Sequence, residues 1–397
     1  MTKASGESLA SRTGDVRPLR VALVSPLPPP IGGIARWTRM IQGAAGRSSS
    51  VDLMVVDIAL RGRSIHQNSM ARRLIAGGIQ LLRAGGALWW RMLCRRPDVV
   101  HVNTSGHLGT IRDLVILAVC RAFRVPLVYH LRFGRVPEIA ERGNREWRLM
   151  RRMMRGSSAV VVLDARTEQA ICSRVAGVLV ERIPNCVDLL GLPGTQQMVR
   201  QHRNRVLFAG WVIPAKGVED LLAAWRAIRE PTWELLIAGS YEEGYLRRLQ
   251  SELQPKDAVS FLGELSGSDL LRLMAGCEIF VLPSHTEGFP NAILEAMSLG
   301  RAVVATDVGA VPDMLSGDCG VVVPPADPER LADALGCLMK DSSRRDEVGE
   351  RARRKAAEEY SLKVVFDRYV DLWRRLSSQP CSNQSRDETA PSMPVST

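Results

Sequence analysis

Short apolar runs recur along the chain at spacings that leave room for a helix between one and the next. Leu19 to Ser25 (LRVALVS) is apolar, rich in β-branched residues and closed by a proline-rich turn, the pattern of a strand buried on both faces. Val51 to Ile58, Asp98 to Val102, Leu127 to His130 and Ala159 to Leu163 repeat it, and the alternation predicts parallel βαβ units. After the first run comes a turn reading PLPPPIGG, with a helical pattern from Ile34. A stretch rich in Pro, Asn, Asp and Gly from Arg182 to Thr195 reads as a linker. A second series then begins at Arg205 to Ala209 and continues through Trp233 to Ala238, Val259 to Phe261, Ile279 to Leu282, Ala302 to Ala305 and Gly320 to Val323. The last helical pattern, about Ser361 to Leu376, is amphipathic and Arg-rich, and the Ser, Pro and Thr tail beyond it reads as disordered. Two doubly wound α/β domains of this kind leave a cleft between the C-terminal ends of their strands, where ligands bind in open sheets.

Composition narrows the class without changing this picture. A length of 397 residues suits two domains, and 46% hydrophobic with 24% charged residues excludes global disorder. The best candidate for a spanning helix, Leu114 to Leu131, is broken by Arg121 and Arg124. The polar N-terminus carries no secretory signal pattern, so the cytosol is the expected compartment. The eight cysteines are scattered singly, which points to buried thiols in a reducing compartment. Charge is more telling. Residues 1–188 hold 29 Lys+Arg against 13 Asp+Glu, a net of +16, while the remainder holds 24 against 29, a net of −5. Such asymmetry points to an anionic partner for that half, whether phosphorylated lipid, anionic membrane or nucleic acid. Within it, Met70 to Arg96 combines Leu, Ile and Trp with Arg72, Arg73, Arg95 and Arg96, a face for the sheet or for a membrane interface.

The strongest local signal is VLPSHTEGFPNAILEAMSLGRAVVAT, residues 281–306. It reads as strand, loop, helix and strand, with Pro290 favouring the helix start and Gly300 stopping it. Free N–H groups near Asn291 to Ile293 and the positive end of the helix dipole make an anion site there. Glu287 precedes the helix and Glu295 lies within it, so both carboxylates can face the cleft.

These two acids form an E-x7-E pattern that resembles the donor-binding motif of the retaining GT-B glycosyltransferases, family 4 in particular. SPLPPPIGGIARW, IPNCVD at 183–188, FAGWVIPAKGVEDLL at 208–222 and CGVVVPPADPERLADAL at 319–335 carry the same resemblance, which runs from about Leu19 to Leu376. It implies a leader over 1–18, a Rossmann-like acceptor-binding domain over 19–188, a Rossmann-like nucleotide-sugar-binding domain over 189–360, a helix over 361–376 crossing back to the first domain, and a tail over 377–397. It also implies roles. Glu295 would bind the donor ribose, Glu287 the donor sugar near the reacting carbon, and Lys216 the diphosphate. Lys216 is one of six lysines in a chain that otherwise uses arginine, and a compact ammonium suits a phosphate that gains charge. Gly288, Phe289, Asn291, Ala292 and Ile293 complete the donor motif. Gly32 and Gly33 match the family's glycine loop, and His130, in VYHLRFGRVPE at an expected cleft edge, matches a histidine that faces sugar and acceptor. The family usually has an arginine after the glycine of the Lys216 loop, where this chain has Trp211.

His101, His107, Arg132 and Arg135 are weaker acceptor-side candidates. No D-x-D sequence occurs, and Asp327 with Glu329 sits at a predicted helix start, so neither a metal nor another cofactor is expected beyond the nucleotide-sugar itself. No residue presents itself as a nucleophile, and the resemblance implies same-face attack. The expectation is an enzyme of bacterial cell-surface polysaccharide or glycolipid assembly, taking a lipid-linked or glycan acceptor and resting peripherally on the anionic inner face of the plasma membrane. An epimerase on the same fold would need no acceptor site, which the basic half disfavours. A nucleic-acid-binding protein, invited by a pI near 9.6, lacks any recognised motif.

Overall fold

The computed structural model describes residues 17–29, 32–59, 85–106, 109–189, 204–228 and 230–378. His107, Arg72 and Arg73, the leader up to residue 16, most of the tail and the end of the predicted linker lie outside them. Two six-stranded sheets, each parallel throughout, account for the two series of apolar runs. The first contains β1 (Leu19–Ser25), β2 (Val51–Asp57), β3 (Val99–Thr104), β4 (Leu127–Leu131), β5 (Ala159–Val162) and β6 (Val180–Arg182), in the order β2-β1-β3-β4-β5-β6. The second contains β7 (Arg205–Ala209), β8 (Glu234–Ala238), β9 (Val259–Gly263), β10 (Ile279–Leu282), β11 (Ala302–Thr306) and β12 (Val321–Val323), in the order β12-β11-β10-β7-β8-β9. Central strands are buried on both faces, so they read as unbroken apolar runs. The predicted strands match to within a residue or two, and β6 was not foreseen.

Side-chain alternation divides the first sheet between two cores. Ala22, Val24, Val100, Val102, Leu127, Tyr129, Val160 and Val162 face the helices at residues 85–94, Gly109–Ala122, Val136–Arg142 and Arg145–Gly156. Val21, Leu23, Val99, Val128, Ala159 and Val161 face the helix Gly33–Gly46 and the last helix, Leu362–Ser378. That last helix belongs to the C-terminal end of the chain and to the N-terminal core. Its buried stripe is Leu362, Val365, Phe366, Tyr369, Val370, Leu372, Trp373 and Leu376, the spacing of one helical face. Burying a large apolar side chain stabilises by about 1.5–3 kcal/mol, so the return of this helix is strongly favoured. Where it crosses, the Val187 N–H donates to the Tyr360 carbonyl and the Leu362 N–H to the Val187 carbonyl, both at 2.9 Å. The two connections between domains are thus paired with each other.

The seven described cysteines are all free, and Cys94, Cys172 and Cys337 are exposed rather than buried. No described helix is long and apolar enough to cross a membrane.

Candidate functional site

In an open parallel sheet the loops diverge where the strand order reverses, and a ligand crevice forms at the carboxyl ends of the strands on either side. In the second sheet that point lies between β7 and β10, so the loops after Ala209 and after Leu282 must meet. The first carries Lys216 and the second Glu287. Lys216 Nζ donates to Glu287 Oε1 at 2.6 Å, and Ser284 Oγ donates to the same oxygen at 2.7 Å. Gly217 sets this contact. It ends the 3-10 turn Pro214–Lys216 with φ +66°, and a Cβ on it would stand 2.0 Å from the Pro283 carbonyl oxygen. Only glycine allows the two loops so close.

The first sheet presents its own loops across the cleft. The segment after β4 brings Gly134 against the Glu287 loop, where a Cβ would fall 1.9 Å from the Glu287 carbonyl oxygen. From the other side, a Cβ on Gly288 would stand 3.2 Å from the Gly134 backbone nitrogen. The helix Gly33–Gly46 starts at Gly32 with no side-chain cap, and a Cβ on Gly33 would lie 3.3 Å from Asn291 Nδ2. Asn291 opens the helix Asn291–Ser298, which also has no side-chain cap. Two uncapped helix N-termini therefore converge. Their free N–H groups and positive dipole ends disfavour each other and are relieved by an anion between them.

Glu295, on that second helix, is buried, and its carboxylate is held 2.6 Å from Arg36 of the opposite domain. Burial raises its pKa and Arg36 opposes the rise. Beside the pair lies an interdomain cavity of about 360 Å³ lined by Arg36, Arg39, Arg47, Leu271, Asn291 and Glu295, among others. Asn185, in the IPNCVD segment, ties the domains together. Its Nδ2 donates to Asn291 Oδ1 at 3.0 Å and to the Phe289 carbonyl at 3.3 Å, while its Oδ1 accepts from Arg132 at 2.6 Å.

Several predicted residues sit differently from expectation. The Phe289 side chain packs in the core against Tyr360, with ring centroids 5.8 Å apart, and Ile293 is fully buried, so each meets the cleft only through its backbone. Ala292 is half-buried beside them. His130 has 0% exposure instead of lining the cleft edge. It lies among Trp37, His101, Tyr369 and Arg132, and Arg132 in turn stacks on Trp37 at 4.2 Å and faces the domain joint rather than an open acceptor surface. Arg135 precedes the helix Val136–Arg142 and sits 6.0 Å from the Phe133 ring. Burial, then Arg132, lowers the His101 pKa to about 3, and the same causes push His130 well below its usual value. Both rings are therefore neutral near pH 7. Trp373 Nε1–H donates to His101 Nδ1 at 3.1 Å, which leaves the His101 proton on Nε2 to be donated to His130 Nδ1, also at 3.1 Å.

Asp327 is spent on the helix Pro328–Lys340, accepting from the Arg330 N–H at 3.0 Å. Among the described residues no three His, Cys, Asp or Glu side chains gather as a metal-binding group. Arg36, Asn185, Ser284 and Gly134 carry contacts at this site that the sequence reading assigned to none of them. Arg36 lies three residues past the glycine pair, a spacing that keeps it on the first turn of the helix, and Asn185 lies within IPNCVD.

Two family models match the chain, Glycosyltransferase Family 4 over residues 48–189 and Glycosyl transferases group 1 over residues 203–341. Among curated proteins the chain is 34% identical to an MMP alpha-(1->4)-mannosyltransferase of Mycolicibacterium hassiacum, over 44% of this chain and 43% of that protein. It is 31% identical to a GDP-mannose-dependent monoacylated alpha-(1-6)-phosphatidylinositol monomannoside mannosyltransferase of Corynebacterium glutamicum, over 43% of this chain and 46% of that protein. In both cases the match spans less than half of the relative. Among solved structures, HepE of Anabaena, in complex with UDP and glucose, superposes with a TM-score of 0.66 at 19% identity, covering 90% of this chain and 100% of HepE. With two Rossmann-like domains in the GT-B arrangement, the chain carries a Glycosyltransferase Family 4 domain followed by a Glycosyl transferases group 1 domain.

Proposed function

We propose that the protein transfers a sugar, with retention of anomeric configuration and without a metal, from a nucleotide-diphosphate-sugar to a lipid-linked or glycan acceptor in bacterial cell-surface polysaccharide or glycolipid assembly at the cytoplasmic membrane face. The observation that carries this reading is the convergence of the two uncapped helix N-termini at Gly33 and Asn291, with Lys216 and Glu287 on one side and the cavity beside Glu295 on the other. A diphosphate relieves the facing dipoles through the N–H groups at Gly33 and at Asn291, Ala292 and Ile293. The cavity is of nucleoside size, with Glu295 as acceptor for ribose hydroxyls. Lys216 stabilises the leaving diphosphate as its charge grows. Glu287, fixed by Lys216 and Ser284, receives a hydroxyl of the donor sugar. The bare backbone of Gly32, where a Cβ would meet nothing within 4 Å, gives the sugar room, and Gly288 lets the Glu287 loop pack on Gly134.

In the transfer, the acceptor oxygen bonds to the anomeric carbon on the face from which the C–O bond to phosphate breaks. The acceptor proton passes to the departing phosphate oxygen. Positive charge at the diphosphate comes from Lys216 and two helix ends, which supports a reaction needing no divalent cation. The names of the relatives support the substrate classes, one using GDP-mannose on a phosphatidylinositol mannoside and a structural neighbour holding UDP and glucose. Incubation with radiolabelled UDP-, GDP- and ADP-sugars and a membrane lipid extract tests the reading. Label appearing in an α-linked product, with and without EDTA, supports it. Absence of transfer from all three donors, a β-linked product, or loss of activity on chelation with recovery on added magnesium would each count against the part concerned.

A further inference from the structure

The helices at residues 85–94, Gly109–Ala122 and Arg145–Gly156 lie side by side on one face of the first sheet. A Cβ on Gly85 would meet Val115 at 3.6 Å, Trp89 packs edge-on against Phe123 with centroids 5.0 Å apart, and a Cβ on Gly156 would overlap Leu117 at 2.4 Å and approach Arg121 at 3.1 Å. Their inner sides fill the core with Leu88, Met92, Ile116, Leu117, Met150, Met153 and Met154. Their outer sides are unusual. Trp90 is 67% exposed, Leu93 60% and Trp89 48%, and Ile111, Val115 and Leu149 are also open to solvent. Next to this apolar patch, Arg121, Arg148, Arg151, Arg152 and Arg155 line a groove between the second and third helices. None of these five guanidinium groups has a carboxylate partner among the described residues. The only acids on the three helices are Asp113, which is fully buried and paired with Arg112, and Glu146.

We propose that this three-helix face docks the protein on an anionic lipid bilayer. Exposed Trp, Leu, Ile and Val side chains on these adjoining helices gain by leaving water, and Trp is suited to the headgroup boundary. Unpaired arginines beside them meet lipid phosphates. Each half of the surface explains the other. A nucleic acid would satisfy the arginines and stack on the tryptophans, but Leu93, Ile111, Val115 and Leu149 offer no stacking face and no hydrogen bond. The face also relocates the membrane contact expected from the sequence. Arg95 is paired with Asp52 at 2.7 Å and Arg96 donates to the Arg124 carbonyl, so both are engaged within the fold. The inference rests on the lipid-linked acceptor only for its purpose, not for its test.

The test is flotation of the full chain, without donor or acceptor, on vesicles of phosphatidylcholine alone and of phosphatidylcholine with phosphatidylglycerol. Binding is expected only to the anionic vesicles and to weaken with salt. Each arginine near the surface is worth about 1 kcal/mol, or roughly fivefold, so the triple variant Arg148→Gln, Arg152→Gln, Arg155→Gln loses on the order of a hundredfold in affinity. Trp90→Ser with Leu93→Ser, on the apolar side, weakens binding at unchanged salt dependence. All substituted positions are at the surface, and unchanged thermal unfolding confirms that the variants fold. No binding at low salt, equal binding to both vesicle types, or wild-type binding by the triple variant overturns the proposal, as does tRNA binding that is abolished by the same three substitutions and displaces the vesicles. Sugar transfer to a lipid extract is measured separately, so failure of docking and failure of the transferase reading are told apart.

Discussion

Removing the Lys216 ammonium separates a catalytic charge from a structural one. Among the described residues its ammonium makes one hydrogen bond, to Glu287 Oε1, and an ammonium has three donors. At least two N–H groups are left for the cleft. A hydrogen bond to a charged group contributes about 1.5–3 kcal/mol, so Lys216→Ala should lower kcat/KM by roughly 10- to 150-fold if those donors meet the diphosphate as it departs. The substitution also leaves Glu287, largely buried, with Ser284 as its remaining bond at this site, at a cost of about 1–3 kcal/mol of stability.

The two effects are distinguished by ligand. Steady-state release of nucleoside diphosphate at limiting donor gives kcat/KM, chemical denaturation gives stability, and competitive inhibition is compared between the nucleoside diphosphate and the phosphate-free nucleoside. On the proposed reading, in which the ribose end sits at Glu295 in the other half of the site, the expected result is a weaker diphosphate with an unchanged nucleoside. Wild-type kcat/KM in Lys216→Ala would refute the assignment. Equal weakening of both inhibitors would also refute it, showing that the lysine only holds the Glu287 loop in place.

Three further outcomes follow from the geometry. Glu295→Gln should raise the donor KM about tenfold or more while leaving kcat within a few-fold, since it removes a charged acceptor for ribose and not for the reacting phosphate; initial rates over a donor series decide it. Gly134→Ala should cut transfer by more than about tenfold, because its Cβ would fall 1.9 Å from a backbone oxygen, so the Glu287 loop must move; kinetics close to wild type would show that the loop position is unimportant. For pH, the His101 pKa lies at about 3 in the fold against 6.5 ordinarily, so its stabilising share is complete above pH 6.5 and is lost as pH falls toward 3. Between neutral pH and about pH 5 that loss is about 2 kcal/mol. His101→Gln should therefore show a loss smaller by that amount, read from urea denaturation at the two pH values.

The reach of local pattern explains which parts of this architecture the sequence discloses. Strands such as Val206 to Ala209 and Ile279 to Leu282 are buried on both faces, so they stand out as apolar runs wherever they lie in the sheet. The edge strand Val180–Arg182 has three residues, two of them charged, and carries no such signal. Lys216 and the pair Glu287 and Glu295 lie inside strings whose loop-helix grammar is local, so their place at the strand ends was legible. The histidines show where that reasoning stops. His130 ends β4, which suggests the cleft, but side chains alternate along a strand, and His130 shares its face with Val128 just as His101 shares one with Val99. That face is covered by Trp37 and by Tyr369 and Trp373 of a helix that returns from the other end of the chain. No window around His130 contains the residues that seal it. The same holds for Arg36 and Glu295, or for Asn185 and Asn291, which meet only because the domains close on each other. Trp211, standing where an arginine was expected, is exposed, and the cations at the cleft come instead from Lys216 and from Arg36, Arg39 and Arg47 on one face of a single helix in the opposite domain. The positive charge of the site is thus divided between the two domains, and it is complete only where they meet.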